Sequence, residues 1–189
     1  MQIAAFDLSL TASGWCVSAT NVASGSVFEW GCHRPPKGMK DIERIDWIAK
    51  RCCEQADGVD LVVIEDRFNS KGAYAKEICG VTYLIRHCLW RRKTSVVLVA
   101  PATLKKFATG SGGNPKRPVG KQAVIDSVKA NWSIDLKDDN EADAVVLAHI
   151  GLALANVWWP RELSEVTKAQ REVVAKLRDQ HKSVSTGNA

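Results

Sequence analysis

Residues 61–67, LVVIEDR, decide the fold. Four apolar, mostly β-branched residues in a row read as a strand buried on both faces, and Glu65 stands where that strand should still be buried. Downstream, residues 73–90 carry a helical pattern and residues 95–100 a second apolar strand, so this part is a β-α-β unit. Upstream, residues 3–9 (IAAFDLS), 14–20 and 26–33 read as three strands separated by small turn-forming residues, an antiparallel meander. Between the two parts, Ile42, Ile45, Ile48, Ala49 and Cys52 fall at helical spacing within residues 39–56. Beyond Pro101 a short helix at 103–107 is followed by a Gly-, Ser- and Pro-rich loop at 109–120, expected to be mobile. Helices at 121–130 and 141–157 follow.

This order predicts an α/β chain with a ribonuclease-H-like layout: a mixed five-stranded sheet with helices on both faces. The layout sets the first and fourth strands side by side, so Asp7 and Glu65 become neighbours although 58 positions separate them. With 189 residues there is sequence for one good core and an appendage. We expect a nuclease domain over residues 1–158, a surface helix within 159–180 and a disordered tail over 181–189. The first ten residues carry Asp7 and no basic residue, unlike a secretory signal, and the longest apolar run, residues 144–159, is short of a bilayer span. The six cysteines form no C-x-x-C pair or zinc spacing and read as reduced thiols. A cytoplasmic protein of a bacterium or a phage-infected host, with no membrane partner, is expected.

Asp7, Glu65 and Asp143 all occupy positions where apolar side chains would be ordinary. A buried carboxylate without a partner costs several kcal/mol or about that, so three gathered from distant segments suggest a cation site. In DDNEADAVVLAHI, residues 138–150, Asp143 shares a helix face with Leu147, Ile150 and Leu154, the face that packs on the sheet. Asp139 and Asn140 lie four and three residues earlier on the same side, and one of Asp138, Asp139 and Asn140 is expected to cap the helix. Carboxylates without His or Cys favour a hard ion, magnesium with manganese as a substitute. Two such ions can hold a phosphodiester between them for hydrolysis.

The charge pattern points to the substrate. Between Glu77 and Asp126 there is no acidic residue, while Arg86, Arg91, Arg92, Lys93, Lys105, Lys106, Lys116, Arg117 and Lys121 are positive; the whole chain nets only +5, so the remainder is net negative. A polyanion such as nucleic acid fits this segregation.

Taken together, Asp7 on the first strand, Ile64-Glu65 before Phe68, LKKFATGSG after Pro101, the downstream G-K-Q at 120–122 and A-D-A at 142–144 resemble the RuvC-type Holliday-junction resolvases over about residues 1–155. The resemblance implies a metal-dependent homodimer acting in DNA recombination and repair, which nicks four-way junctions symmetrically and leaves 5′-phosphates. It implies Asp7, Glu65 and Asp143 as metal ligands and catalytic residues. The fourth acidic position of the family is Asn140 here, and Asp139 beside it is expected to swing in, since a neutral amide would leave the site short of charge. The D-P-G expected after the first strand is replaced by Asp7, Leu8 and Ser9, which suggests a divergent, phage-like branch. Phe68 matches a base-stacking position, with Arg67 and Lys71 in the same exposed segment. Lys105, Lys106 and Lys121 match positions that approach phosphates, Lys121 the scissile one, and Lys116 and Arg117 extend the basic interval. The helix at 73–90, with Ile78, Val81, Leu84 and Ile85 on one side, resembles the family's dimer helix.

Trp15, Trp30 and Trp47 read as core residues, and His33, His87, His149 and His181 show no ligand or triad spacing. Asn140 leaves open a cleavage-impaired branched-DNA-binding protein. FDLSLTASGW, residues 6–15, weakly resembles the phosphate loop of an actin-like ATPase or kinase, but such proteins need a second, duplicated domain.

Overall fold

The computed structural model describes residues 1–21, 25–67, 74–114, 116–155 and 166–185. Strands β1 (Gln2–Asp7), β2 (Ser13–Asn21) and β3 (Gly25–His33) form the meander, and α1 (Asp41–Gln55) leads to β4 (Leu61–Glu65). Then come α2 (Ala75–Arg91), β5 (Ser95–Val99), α3 (Pro101–Thr109), α4 (Lys121–Trp132), α5 (Asp139–Leu154) and α6 (Lys168–Ser185). The sheet order is β3-β2-β1-β4-β5, antiparallel across the meander and parallel from β1 through β4 to β5. This is the mixed five-stranded sheet the sequence predicted. Among the described residues there is no second sheet of the kind an actin-like kinase needs.

The period of two along each strand divides the core into two layers. Ala4, Phe6, Val62 and Ile64 face α1 and α2, packing with Ile48, Cys52, Val81, Ile85 and Leu89. Ile3, Ala5, Leu61, Val63, Val97 and Val99 face the opposite way, against α3, α4 and α5. Helix α5 is enclosed on all sides, every residue from Ala144 to Ala153 being buried between β1, β2 and β4 on one side and α3, α4 and α6 on the other. That is why its sequence is apolar all round. Gly151 lets it lie flush on the sheet: a Cβ there would come 2.8 Å from Ile3 Cγ2 and 2.9 Å from Val63 Cγ2.

Three differences from the sequence reading have clear causes. The C-terminal helix, expected within residues 159–180, runs from Lys168 to Ser185. A reciprocal capping box starts it there: Thr167 N–H donates to Gln170 Oε1 and Gln170 N–H to Thr167 Oγ1. The helix buries Val173, Val174 and Leu177 in the α3–α5 layer, and Arg178 donates to the last carbonyls of α5 at Ala153 and Leu154. On α2, Val81, Ile85 and Leu89 turn into the core, whereas Leu84, with Tyr83 and Trp90, is exposed, so the stripe read as one side is split. Trp30, expected in the core, lies exposed on edge strand β3. Trp15 and Trp47 do pack against the core. No helix among the described residues is long and apolar enough to cross a membrane.

His149 has a structural place. It is buried on α5, its Nδ1 lies 2.9 Å from the Val145 carbonyl oxygen, and its ring stacks between Trp132 at 3.9 Å and Phe28 at 4.7 Å. Burial pushes its pKa down from 6.5 to about 4. The unfolded chain therefore takes up a proton between those values that the folded chain refuses, so stability is present above pH 6.5 and is lost as pH falls toward 4. Over that window the loss amounts to about 3 kcal/mol. In thermal melts from pH 7 down to pH 4, wild type should lose stability relative to His149→Phe, the difference between the two isolating this group from the carboxylates that titrate in both.

Candidate active site

Both buried acids lie on the α5 side of the sheet because they continue the strand alternation. Asp7 follows Ile3 and Ala5, and Glu65 follows Leu61 and Val63. Phe6 stands opposite Ile64 in the parallel β1–β4 register, so Asp7 and Glu65 end adjacent strands. Their residues are 1% and 4% exposed, so neither carboxylate is solvated in the ordinary way. Asp143 faces them from the first turns of α5.

The start of that helix is fixed by Asp138, which accepts from the backbone N–H groups of Asn140 and Glu141 and from the Asn140 side-chain amide. Arg34, 2.6 Å away, and the Cys32 thiol also donate to it. Burial works against the Asp138 charge, but the Asn140 side chain and these amides outweigh it and hold the pKa below the usual carboxylate range. Asp138 is thus the cap, and Asp139 and Asn140 are left on the first turn facing the cleft.

The cleft has a volume of about 430 Å³ and brings together Asp7, Glu65, Asp139, Asn140 and Asp143 with Arg67, Lys105 and Lys121. Arg67 reaches in from the end of β4: its Nη2 donates to Asp7 Oδ1 at 2.9 Å, and its Nε lies 2.6 Å from Glu65 Oε2. The second contact lacks hydrogen-bond alignment, and Glu65 Oε2 is a buried oxygen with no hydrogen-bond partner. Lys121 is ion-paired with Asp139, and Lys105 Nζ donates to the Val119 carbonyl oxygen. Burial and then the Asp7 charge push the Glu65 pKa well up, with Arg67 pulling it partly back. Asp143 is raised to about 7, again by burial first and Asp7 second, against the pull of Arg67 and Lys105. A set of crowded carboxylate oxygens, one of them ion-paired without an aligned hydrogen bond, is the donor chemistry that fits a hard divalent ion. Among the described residues, however, no three His, Cys, Asp or Glu side chains are gathered closely enough to hold one ion as they stand. The cation that the Asp7–Glu65 pair meets here is a guanidinium.

Other residues named from sequence lie elsewhere. Lys106 points to α6, where its Nζ meets Glu172 Oε2 at 2.6 Å, and it does not line the cleft. Lys116 and Arg117 are exposed on the loop before α4, their backbone N–H groups both held by Asn114 Oδ1 at 2.9 Å. Phe68 and Lys71 lie outside the described residues. The acid-free interval does not form one face. Lys93 precedes Ser95, which pairs with Leu61 at the start of β4, whereas the cleft is at the end of β4. Arg91, Arg92 and Lys93 therefore sit at the opposite end of the strands from Lys105 and Lys121. Ser9 and Thr11, on the β1–β2 turn, also line the cleft and were not singled out by the sequence. Arg67 was singled out for DNA rather than for the carboxylates. The signal was present, because Arg67 continues the same two-residue alternation as Leu61, Val63 and Glu65.

No family model matches the chain, and no curated protein matches it in sequence. Solved structures do. The RuvC structure of Thermus thermophilus superposes with a TM-score of 0.64 at 18% identity, over 83% of this chain and 98% of that one. T. thermophilus RuvC in complex with a Holliday junction substrate gives 0.65 at 19% identity, over 83% and 97%. The fowlpox virus resolvase in complex with substrate Holliday junction DNA gives 0.52 at 15% identity, over 81% and 97%. This chain therefore has the ribonuclease-H-like fold found in bacterial RuvC and in a poxvirus Holliday junction resolvase.

Proposed function

We propose that the protein is a metal-dependent endonuclease that resolves four-way DNA junctions by paired phosphodiester hydrolysis, leaving 5′-phosphates. The observation that carries this reading is the convergence of Asp7, Glu65 and Asp143 in one cleft rimmed by Lys105 and Lys121. Asp7, Glu65, Asp143 and Asp139 would hold the magnesium ions, two per site. Asp139 is preferred to Asn140 because the Asn140 amide already donates to Asp138, while Asp139 faces Lys121. Bound magnesium would supply the Lewis acidity that activates water and stabilises the leaving 3′-oxygen. The chain itself contributes position and charge. The β1 and β4 ends hold two carboxylates rigidly, and the exposed Lys121 ammonium can leave Asp139 for the scissile phosphate. Paired cuts on two strands call for two sites, hence a homodimer.

Lys116 and Arg117 would track the DNA backbone from their exposed loop. Replacing both by Ala is expected to weaken junction binding whatever the sequence, and to lower the log–log salt slope by about 2. Filter binding across a salt series measures both effects.

The decisive test is an end-labelled immobile junction compared with linear duplex, with and without magnesium. Symmetric nicks on the junction alone, dependent on the metal, support the proposal. Tight binding without nicks would favour the cleavage-impaired reading that Asn140 motivates, and neither binding nor cutting would overturn both.

A further inference from the structure

The Asp7–Glu65 pair meets a positive charge from within the chain. Arg67 contacts both carboxylates, at 2.9 Å and 2.6 Å, and its side chain is 34% exposed where theirs are 2% and 4%. It thus enters a buried acidic pair from the solvent side, as an incoming ion would. The fit is one of charge more than of geometry, because Glu65 Oε2 and Arg67 Nε approach closely without forming an aligned hydrogen bond. A guanidinium at its best grips a carboxylate with two parallel N–H donors. Here it spans two carboxylates and leaves one oxygen badly served. A divalent ion has no directional donors to align and takes oxygens from whichever side they come. A guanidinium lodged on the pair repels a divalent cation brought to the same two carboxylates, since both are positive and the site is shielded from water.

We propose that Arg67 is a built-in counter-cation that competes with divalent metal for Asp7 and Glu65, so that metal loading requires the guanidinium to swing out of the pair. The inference rests on the metal-site reading above. Competition of this kind reduces apparent metal affinity by the fraction of molecules in which the site is free. The residue that leaves remains in the cleft as a positive charge beside the place a phosphate would enter. A chain so arranged keeps its acidic pair partly compensated without metal and exchanges one cation for another when metal arrives.

The test uses the whole protein without DNA and counts free Mn²⁺ by electron paramagnetic resonance at neutral pH. Arg67→Gln is expected to bind Mn²⁺ about tenfold more tightly than wild type. Arg67→Lys, which keeps the charge, should stay near wild type. Asp7→Asn, in either background, should abolish the binding. Melting curves recorded alongside should show Arg67→Gln destabilised without metal and recovering with Mn²⁺ by more than wild type gains. Should Arg67→Gln fold only when Mn²⁺ is present, the interchangeability of the two cations is supported. Failure to fold even with Mn²⁺, or Mn²⁺ binding that depends on Asp7 but is unchanged or weaker in Arg67→Gln, overturns the role of Arg67 alone. Mn²⁺ binding that survives Asp7→Asn, or is absent from every variant, overturns the metal site itself.

Discussion

Asp7→Asn protein should bind a four-way junction in magnesium and leave it uncut, with cleavage slowed about a thousandfold or more, or about 4 kcal/mol of transition-state stabilisation. The substitution changes one oxygen to an amide nitrogen and leaves the end of β1 otherwise as it is. What it removes is half the charge of the buried pair at the end of β1 and β4. The same change acts on the fold in two opposed ways. Asp7 adds to the forces that disfavour the charge on Glu65, and Asp143 feels it too, so neutralising Asp7 relieves repulsion among buried carboxylates. The substitution also removes the Arg67–Asp7 ion pair, whose loss opposes that relief, so the variant should melt close to wild type. Activity lost together with stability kept is the signature of a functional strain rather than a structural fault. Denaturing gels, band shifts and calorimetry on one preparation measure all three quantities.

Gly14→Ala should do the opposite and damage fold and function together. Gly14 on β2 stands opposite Asp7 in the β1–β2 register, and α5 begins directly above it. A Cβ at that position would come 1.9 Å from the Asn140 carbonyl oxygen and 2.4 Å from its carbonyl carbon. Those are backbone atoms in the first turn of a buried helix, so they cannot turn aside as a flexible side chain could. Either α5 lifts or β2 bends. Overpacking of this kind costs about 3 kcal/mol, which for a chain of this size lowers the melting temperature by roughly 9 °C. Since Asp139 and Asn140 ride on that turn and Asp143 on the next, cleavage should fall even at temperatures where the variant is folded. Gly14→Ser, larger still, should be worse on both counts, and a melting temperature unchanged in Gly14→Ala would contradict this packing.

How much of this was legible in the sequence depended on the range of the interaction. The apolar runs in IAAFDLS and LVVIEDR marked β1 and β4, and the expected strand order made Asp7 and Glu65 neighbours, as the parallel β1–β4 register has them; that they share the α5 face follows from the alternation within those strands. The 3- and 4-residue steps from Asp143 likewise put it on the face of α5 that meets the sheet. What did not show was which charge neutralises which. Lys106 looks like a phosphate ligand in a basic run, yet its partner, Glu172, lies on a helix 66 positions later. The nine positive charges between Glu77 and Asp126 are continuous in sequence, but β5 runs the length of the sheet between two groups of them and separates them in space. The start of α6 was missed because Thr167 and Gln170 mark it by hydrogen bonding rather than by apolar period. Trp30 was misplaced because β3 is an edge strand, and the pattern of one strand does not say whether another covers it.

Helix α5 is gripped at both ends by arginines from distant parts of the chain, Arg34 through the Asp138 cap and Arg178 through the final carbonyls. Its middle is sealed on every side. A helix held this way has no slack along its axis, and it carries one of the acids on its second turn. The chain can therefore drift at its rims, where β3, the loop before α4 and the exposed face of α2 meet solvent, while α5 behaves as a ruler whose length and setting are shared by folding and chemistry. Substitutions that reset the ruler from its far end, at Arg178, would be read out as misplaced acids although they touch nothing in the cleft.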